Sequence, residues 1–278
     1  MSLIKEKFNT SSPLPSILPE EWKGIMQGCE AVIFDSLDQF VYTVSKLTQR
    51  ENNKCGMSYK EALEKLTRRQ SDFPQQEQEL IRNRVRANLL KRGLITQEIY
   101  ENFQYSTDGT QVGVDVGKYA AGEPDCVMTP AKEYVDFFYE LYVNISYPYF
   151  VTNEDVRTNV AKLLATVEEL ERQHIFIKIN AVFPALNCEY TDDYDKRSKF
   201  FSVIPLFSHK DFKSVDTMSS VVNERLLRKF YFAILEDLYG KNLCGTYGNP
   251  VKLDHTINIG DELNEIDLFE TILKTTGA

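Results

Sequence analysis

The run Gly113-Val-Asp-Val-Gly-Lys-Tyr-Ala-Ala-Gly-Glu-Pro-Asp-Cys126 sets three carboxylates, Asp115, Glu123 and Asp125, close to the thiol of Cys126. Carboxylates at this spacing can divide acid and base roles or hold a divalent cation through oxygen. A thiol becomes a nucleophile only with a base in reach, and no histidine motif accompanies Cys126. The run also carries Gly117, Gly122 and Pro124. Glycine supplies backbone angles closed to other residues, and carboxylates beside turn residues cap neighbouring amides. The reading that accounts for all of these is a shaped recognition loop of Asp115, Gly117, Tyr119, Gly122, Glu123, Pro124 and Asp125. A metal-dependent enzyme using the carboxylates of 115–125 is the alternative.

A second set of residues could bind rather than react. Lys65, Arg68, Arg69, Arg82, Arg84, Arg86, Lys91 and Arg92 are interrupted only by Asp72, Glu77 and Glu79, in a chain of net charge −9. A local reversal of sign of this kind can contact the phosphates of a nucleic acid or an acidic partner surface. The competing reading is a solvated helix face paired with the acidic remainder of the chain. Asp192, Asp193 and Asp195 form an acidic turn with oxygen ligands for a cation, or simply a solvated one. His174 ends a helical stretch, where a cationic side chain suits the dipole. No phosphate-binding, dinucleotide, zinc-protease, serine-hydrolase or kinase signature is present in the sequence.

The bulk properties narrow the setting. With 42% apolar and 12% aromatic residues, the 278-residue chain can bury a core. Its acidic balance argues against broad, non-specific coating of DNA. Five cysteines, with no Cys-x-x-Cys pair, and three histidines offer no zinc spacing and suit reduced thiols in a cytoplasmic setting. No cofactor is expected. The opening Met-Ser-Leu-Ile-Lys-Glu-Lys-Phe lacks the apolar run of a leader, and no stretch reaches the ~18 apolar residues of a membrane span. The expected partner is therefore a protein, with nucleic acid and a second copy of the chain as further options and no membrane.

The elements that must position these residues follow from periodicity. Residues 1–98 read as a mainly helical region. One helix spans Phe34 to Leu47 with Asp35 and Ser36 as caps, another follows Ser58 with Glu61 as a capping box, and a third runs from Gln75 to Leu90 and stops at Gly93. Residues 99–278 read as α/β. The Asp108-Gly109 turn after Phe103 and Tyr105 signals a hairpin, and Val112, Val114 and Val116 alternate as a strand. Strands at 137–149 and 175–183 flank a helix capped by Thr152 and Asp155, a βαβ unit with parallel strands. A strand at 200–207, a helix at 217–238 capped by Asp216 and stopped by Gly240, a short strand at 256–259 and an acidic helix start at 261–267 complete the chain.

The phrase Val112-Gly-Val-Asp-Val-Gly-Lys-Tyr, with Gly122-Glu-Pro-Asp-Cys, resembles the signature "VDVGRYL-GEPE" of an uncharacterised family encoded by tailed bacteriophages, which precedes a region similar to von Willebrand A domains. Val143 to Ser146 looks like that region's first central strand, Asn153 to Gln173 its helix, Ile175 to Phe183 its next strand, and Arg225 to Glu236 the arginine-rich helix near its end. The resemblance covers about residues 100–240. It implies a von Willebrand A-like layered sheet with flanking helices, an origin in a phage and a place in the host cytoplasm; it implies no activity. Metal-binding members of the wider fold end the first strand in Asp-x-Ser-x-Ser. Here Asn144 and Ser146 stand at the matching positions with Pro148 after them, so the resemblance implies a degenerate metal position and an interaction protein that is not an enzyme.

Overall fold

The computed structural model describes residues 4–7, 29–47, 57–95, 103–106, 113–114, 116–123, 126–130, 136–148, 150–186, 199–222, 229–231, 233–234, 249–250, 253 and 256–276. In chain order the elements are β1 (Ile4–Lys7), β2 (Cys29–Ile33), α1 (Leu37–Lys46), α2 (Tyr59–Thr67), α3 (Gln75–Lys91), β3 (Phe103–Ser106), β4 (Gly113–Val114), α4 (Val116–Ala120), β5 (Val127–Pro130) and β6 (Phe137–Asn144). They continue with α5 (Asn153–Glu171), β7 (Ile175–Leu186), β8 (Lys199–Phe207), α6 (Val215–Val222), β9 (Asn249–Pro250), β10 (Ile257–Asn258) and α7 (Glu265–Thr276).

The chain is an α/β protein with a mixed main sheet in the order β1-β2-β8-β7-β6-β10, with β9 on the end of β7. Within it β6 and β7 are parallel, Phe137 opposite Ile175 and Asn144 opposite Val182, joined through α5 as the βαβ pattern predicts. The β8 strand returns antiparallel to β7, β2 lies parallel to β8, and β10 lies parallel to β6. The strand β2 was not legible in the sequence, and it brings residues near the chain start into the main sheet.

The helices begin where side-chain oxygens take up free amides. Ser36 accepts from Gln39 N–H and Ser58 from Glu61 N–H, while Thr152 and Asp155 form a full reciprocal box at the start of α5. Gly93 adopts φ +71 at the end of α3, as its stop position predicts. Apolar residues of α1, α2, α3, α5, α6 and α7 pack in one core against Val32, Leu141, Val143, Ile175, Ile177, Ile179 and Ile204 of the sheet. Residues of the opposite parity, Ala31, Ile33, Val182, Phe201 and Val203, are buried outside that cluster, so these strands are covered on both faces.

Three expectations change. Val116 does not continue a strand; it opens α4, because only Gly113 and Val114 find a partner, in β5. The strands β3 and β4 do not pair with each other but each with β5, in the order β3-β5-β4, so the hairpin signalled by Asp108-Gly109 is not a direct one. Asp216 does not cap α6: Ser214 takes that place, accepting from Thr217 N–H at 3.4 Å, while Asp216 accepts from Ser71 Oγ and from Gln78 Nε2. Residues 229–231 and 233–234 are helical, with Phe230, Tyr231 and Ile234 buried; Gly240 lies outside the described residues.

Candidate functional site

The carboxyl ends of the parallel strands β6 and β10 carry the Asn144 position. Open α/β sheets hold ligands beyond such strand ends. Asn144 is buried, and its backbone carbonyl accepts from Ile259 N–H at 3.0 Å. Its side-chain oxygen accepts from Ser146 N–H at 2.9 Å, and its Nδ2 donates to Asn258 Oδ1 at 2.8 Å. A hard cation needs several oxygens aimed at one point. Here one amide's oxygen serves the backbone of Ser146, and its nitrogen consumes the oxygen of the other amide. The loop behind is fixed by a buried third amide. Asn159 of α5 donates to the carbonyls of Ile259 and Asp261 at 2.9 and 2.7 Å and accepts from Leu263 N–H at 3.3 Å. Gly260 leaves room for Tyr147, whose hydroxyl donates to Val222 O at 2.8 Å. Among the described residues no group of three or more His, Cys, Asp or Glu side chains could hold a metal ion.

In the 113–126 run the strand β4 is followed by a short helix with a closed end. Glu123 N–H reaches back to Lys118 O at 3.0 Å and Gly122 N–H to Tyr119 O at 3.1 Å, with Gly122 at φ +73. This pair of bonds needs the left-handed backbone that glycine adopts freely, which explains Gly122 without chemistry. Glu123 faces Lys118 across 3.9 Å. Val116 and Tyr119, one turn apart, are both strongly exposed. Gly117 lies in the helix and Cys126, half-buried, is a free thiol. Asp115, Pro124 and Asp125 lie outside the described residues, as do Asp192, Asp193 and Asp195.

The basic run is divided among three surroundings. At the end of α2, Lys65 pairs with Asp72 at 2.7 Å, Arg68 with Glu64 at 2.7 Å and Arg69 with Asp38 at 2.7 Å. Arg69 has φ +53, in a helix-ending position that glycine usually takes. On α3, Val85 and Leu89 are buried and set the inward face. Arg82 and Arg86 flank it and meet α5, at 3.1 Å from Glu168 and 3.8 Å from Glu169. Glu169 is buried; desolvation pushes its carboxyl above the usual range, against the pull of Arg172 and Arg86. Arg84, Lys91 and Arg92 are exposed.

The loop after β8 went unnoticed in the sequence, although Ser208-His-Lys-Asp-Phe-Lys-Ser214 sets a lone aromatic among polar residues. Asp211 accepts from Ser208 N–H at 2.6 Å, a bond that holds its carboxyl below the usual range. The Lys213 side chain is only 4% exposed, and its ammonium meets Glu171 at 2.5 Å and the carbonyls of Ser208, His209 and Asp211 at 3.3, 3.4 and 3.1 Å. That cage fixes a loop from which Phe212 projects. Nearby His174, at φ +64, bonds Asp136 at 3.1 Å, so its place is set by a carboxylate as well as by the end of α5.

The chain belongs to the family described as Domain of unknown function (DUF7192), whose profile matches residues 28–275. No curated protein and no solved structure matches it. No helix among the described residues is long and apolar enough to cross a membrane.

Proposed function

We propose that this member of the family is a non-enzymatic interaction protein, built on a von Willebrand A-like layer whose metal position has become an amide bridge. The single observation that carries the reading is the Asn144 side chain, bonded to Ser146 N–H on one side and Asn258 Oδ1 on the other. A carboxylate in that place would present charge to a cation; the amide presents none, and its oxygen already accepts from Ser146 N–H. The parallel pairing of β6 with β7 on one side and with β10 on the other supports the fold assignment. The phrase around Gly113 to Cys126 supports a tailed-phage origin, and with it action in the host cytoplasm on a host or phage protein.

The test has two arms. Titration calorimetry with Mg²⁺ and Mn²⁺ is expected to give no heat attributable to a site. The full chain carrying an affinity tag, recovered from infected cells, is expected to bring down one protein reproducibly. Saturable metal binding that Asn144→Ala abolishes would overturn the reading. So would a recovery from infected cells that holds no specific partner.

A further inference from the structure

We infer that the outward stripe of α3, formed by Leu80, Arg84, Ala87 and Lys91, receives an acidic amphipathic helix of the protein partner. The inference rests on the reading of the chain as an interaction protein and says where its partner sits. The other sides of α3 are engaged within the chain. Val85 and Leu89 face the core. Arg82 and Arg86 meet Glu168 and Glu169 of α5 at 3.1 and 3.8 Å, and Asn88 donates to Glu265 of α7 at 2.8 Å. The remaining side carries Leu80, Arg84, Ala87 and Lys91, all exposed, Leu80 at 65%. Their spacing sets them in one line along the helix, roughly 16 Å long at about 1.5 Å per residue.

The cations of this stripe are the part of the basic run that the chain does not pair. Lys65, Arg68 and Arg69 each hold a carboxylate at 2.7 Å, and Arg82 and Arg86 hold those of α5. Among the described residues, none forms an ion pair with Arg84, Lys91 or Arg92. The helix dipole accounts for Lys91 and Arg92 at the end of α3. It does not account for Arg84, because the effect fades within the last turn and Arg84 stands about two turns earlier. Arg84 and Lys91 are about 10 Å apart along the stripe, with Leu80 one turn beyond Arg84. Such a row calls for carboxylates at matching intervals with an apolar residue beside them.

A line of side chains at these intervals is a ridge that the groove of a second helix accepts. The small side chain of Ala87, between the two cations, lets the partner's backbone come close. A nucleic acid fits this surface less well. Its phosphates offer no apolar surface to Leu80. Glu77 and Glu79, exposed on the first turns of the same helix, repel them, in a chain of net charge −9.

The test uses the tagged full chain in infected cells, with the photo-crosslinking residue benzoylphenylalanine in place of Ala87. Light is expected to join it to the protein that the parent chain recovers, at a segment with carboxylates at helical spacing. Arg84→Glu combined with Lys91→Glu should leave the far-UV spectrum and melting point unchanged, since neither side chain has an ion-pair partner within the chain. It should lower recovery of that protein roughly tenfold or more, because repulsion replaces attraction. Lys60→Glu combined with Lys210→Glu makes the same change of net charge at exposed positions off α3 and should keep the recovery. A partner that binds the α3 variant as well as the parent overturns this inference and leaves the interaction reading standing. Equal losses in both variants, or a crosslink to a segment without carboxylates, do the same. Recovery that nuclease abolishes gives the stripe to nucleic acid and overturns it too. If no specific protein is recovered at all, both readings fall.

Discussion

The Nδ2 of Asn144 donates to Oδ1 of Asn258 at 2.8 Å across the carboxyl ends of two parallel strands whose residues lie 114 positions apart in the chain. The bond closes the end of the sheet where an open fold of this class would hold a ligand. Asn144→Ala takes a partner from Ser146 N–H and from the Asn258 amide, both half-buried. The expected loss of stability is about 1–3 kcal/mol, read as a lower urea midpoint at unchanged m-value. A loss below ~0.5 kcal/mol would mean that water replaces both bonds.

The helix α5 rests on its first turn. Thr152 Oγ1 accepts from Asp155 N–H at 3.1 Å, and Asp155 accepts from Thr152 N–H at 3.1 Å and from its hydroxyl at 2.7 Å. Thr152→Ala should cost about 1 kcal/mol. The bonds from Thr152 hold the Asp155 carboxyl below its ordinary value. With the folded pKa depressed, the stabilisation is present above the unfolded value and lost as pH falls through the folded one. Asp155→Asn should therefore melt below the parent protein at neutral pH, with the gap closing in acid; a gap that persists at about pH 2 would contradict the assignment.

What the sequence disclosed, and what it hid, divides along the range of the interaction responsible. The cap at Thr152, the apolar spacing of α5 and the strands β6 and β7 were legible because each signal lies within a few residues of its effect. The strand β2 was not. Its five residues are too few to show a period, and the partner that makes them a strand is β8, with Cys29 opposite Lys199. Val116 continued the alternation of Val112 and Val114, but among the described residues only Gly113 and Val114 pair with a strand, and Val116 opens α4. In the candidate sites, the Asn144 position was visible while its partner Asn258 was not. The basic residues were visible as a run, yet only the burial of Val85 and Leu89 shows which of them face α5.

Glu169 is the buried carboxylate of the α3–α5 seam, 3.8 Å from Arg86 Nε and 3.6 Å from Arg172 Nη1. Burial raises its pKa more than the two arginines lower it. With the folded pKa above the unfolded one, the charged form is the less stable in the fold. The stability linked to the protonated form is complete below the unfolded value and lost as pH rises through the folded one. Glu169→Gln removes that dependence. It is expected to melt at or above the parent temperature at pH 7, with the difference vanishing at about pH 3. A Gln variant that melts well below the parent at pH 7 would show that the arginine pairs outweigh desolvation.

The loop that presents Phe212 depends on Lys213. Replacing that lysine by methionine keeps the aliphatic stem but removes the donors that gather the carbonyls of Ser208, His209 and Asp211, and it strips Glu171 of its counter-charge. Amide exchange at 208–212 should accelerate at least tenfold, equivalent to a local loss of about 1.4 kcal/mol, while the amides of β7 keep their protection. Unchanged exchange in the loop would assign its order to the Asp211 cap alone.

Gly260 follows β10 directly beneath Tyr147. A Cβ added there would lie well inside van der Waals distance of the Tyr147 Cβ, with Cγ at 3.3 Å. The obstacle is the root of a side chain, which no rotamer change can move, so the backbone of one loop must give. Gly260→Ala should cost about 1–3 kcal/mol, the range of overpacking at a tight contact. Tyr147→Ala would not relieve it, because the offending Cβ remains. Tyr147→Gly should, although it also removes the hydroxyl bond to Val222 O at 2.8 Å. In a double-mutant cycle measured by urea denaturation, the cost of Gly260→Ala should fall close to zero on the Tyr147→Gly background and stay nearly whole on the Tyr147→Ala background. Equal costs on all three backgrounds would mean that Gly260 is required for its own backbone rather than for the space it leaves to Tyr147.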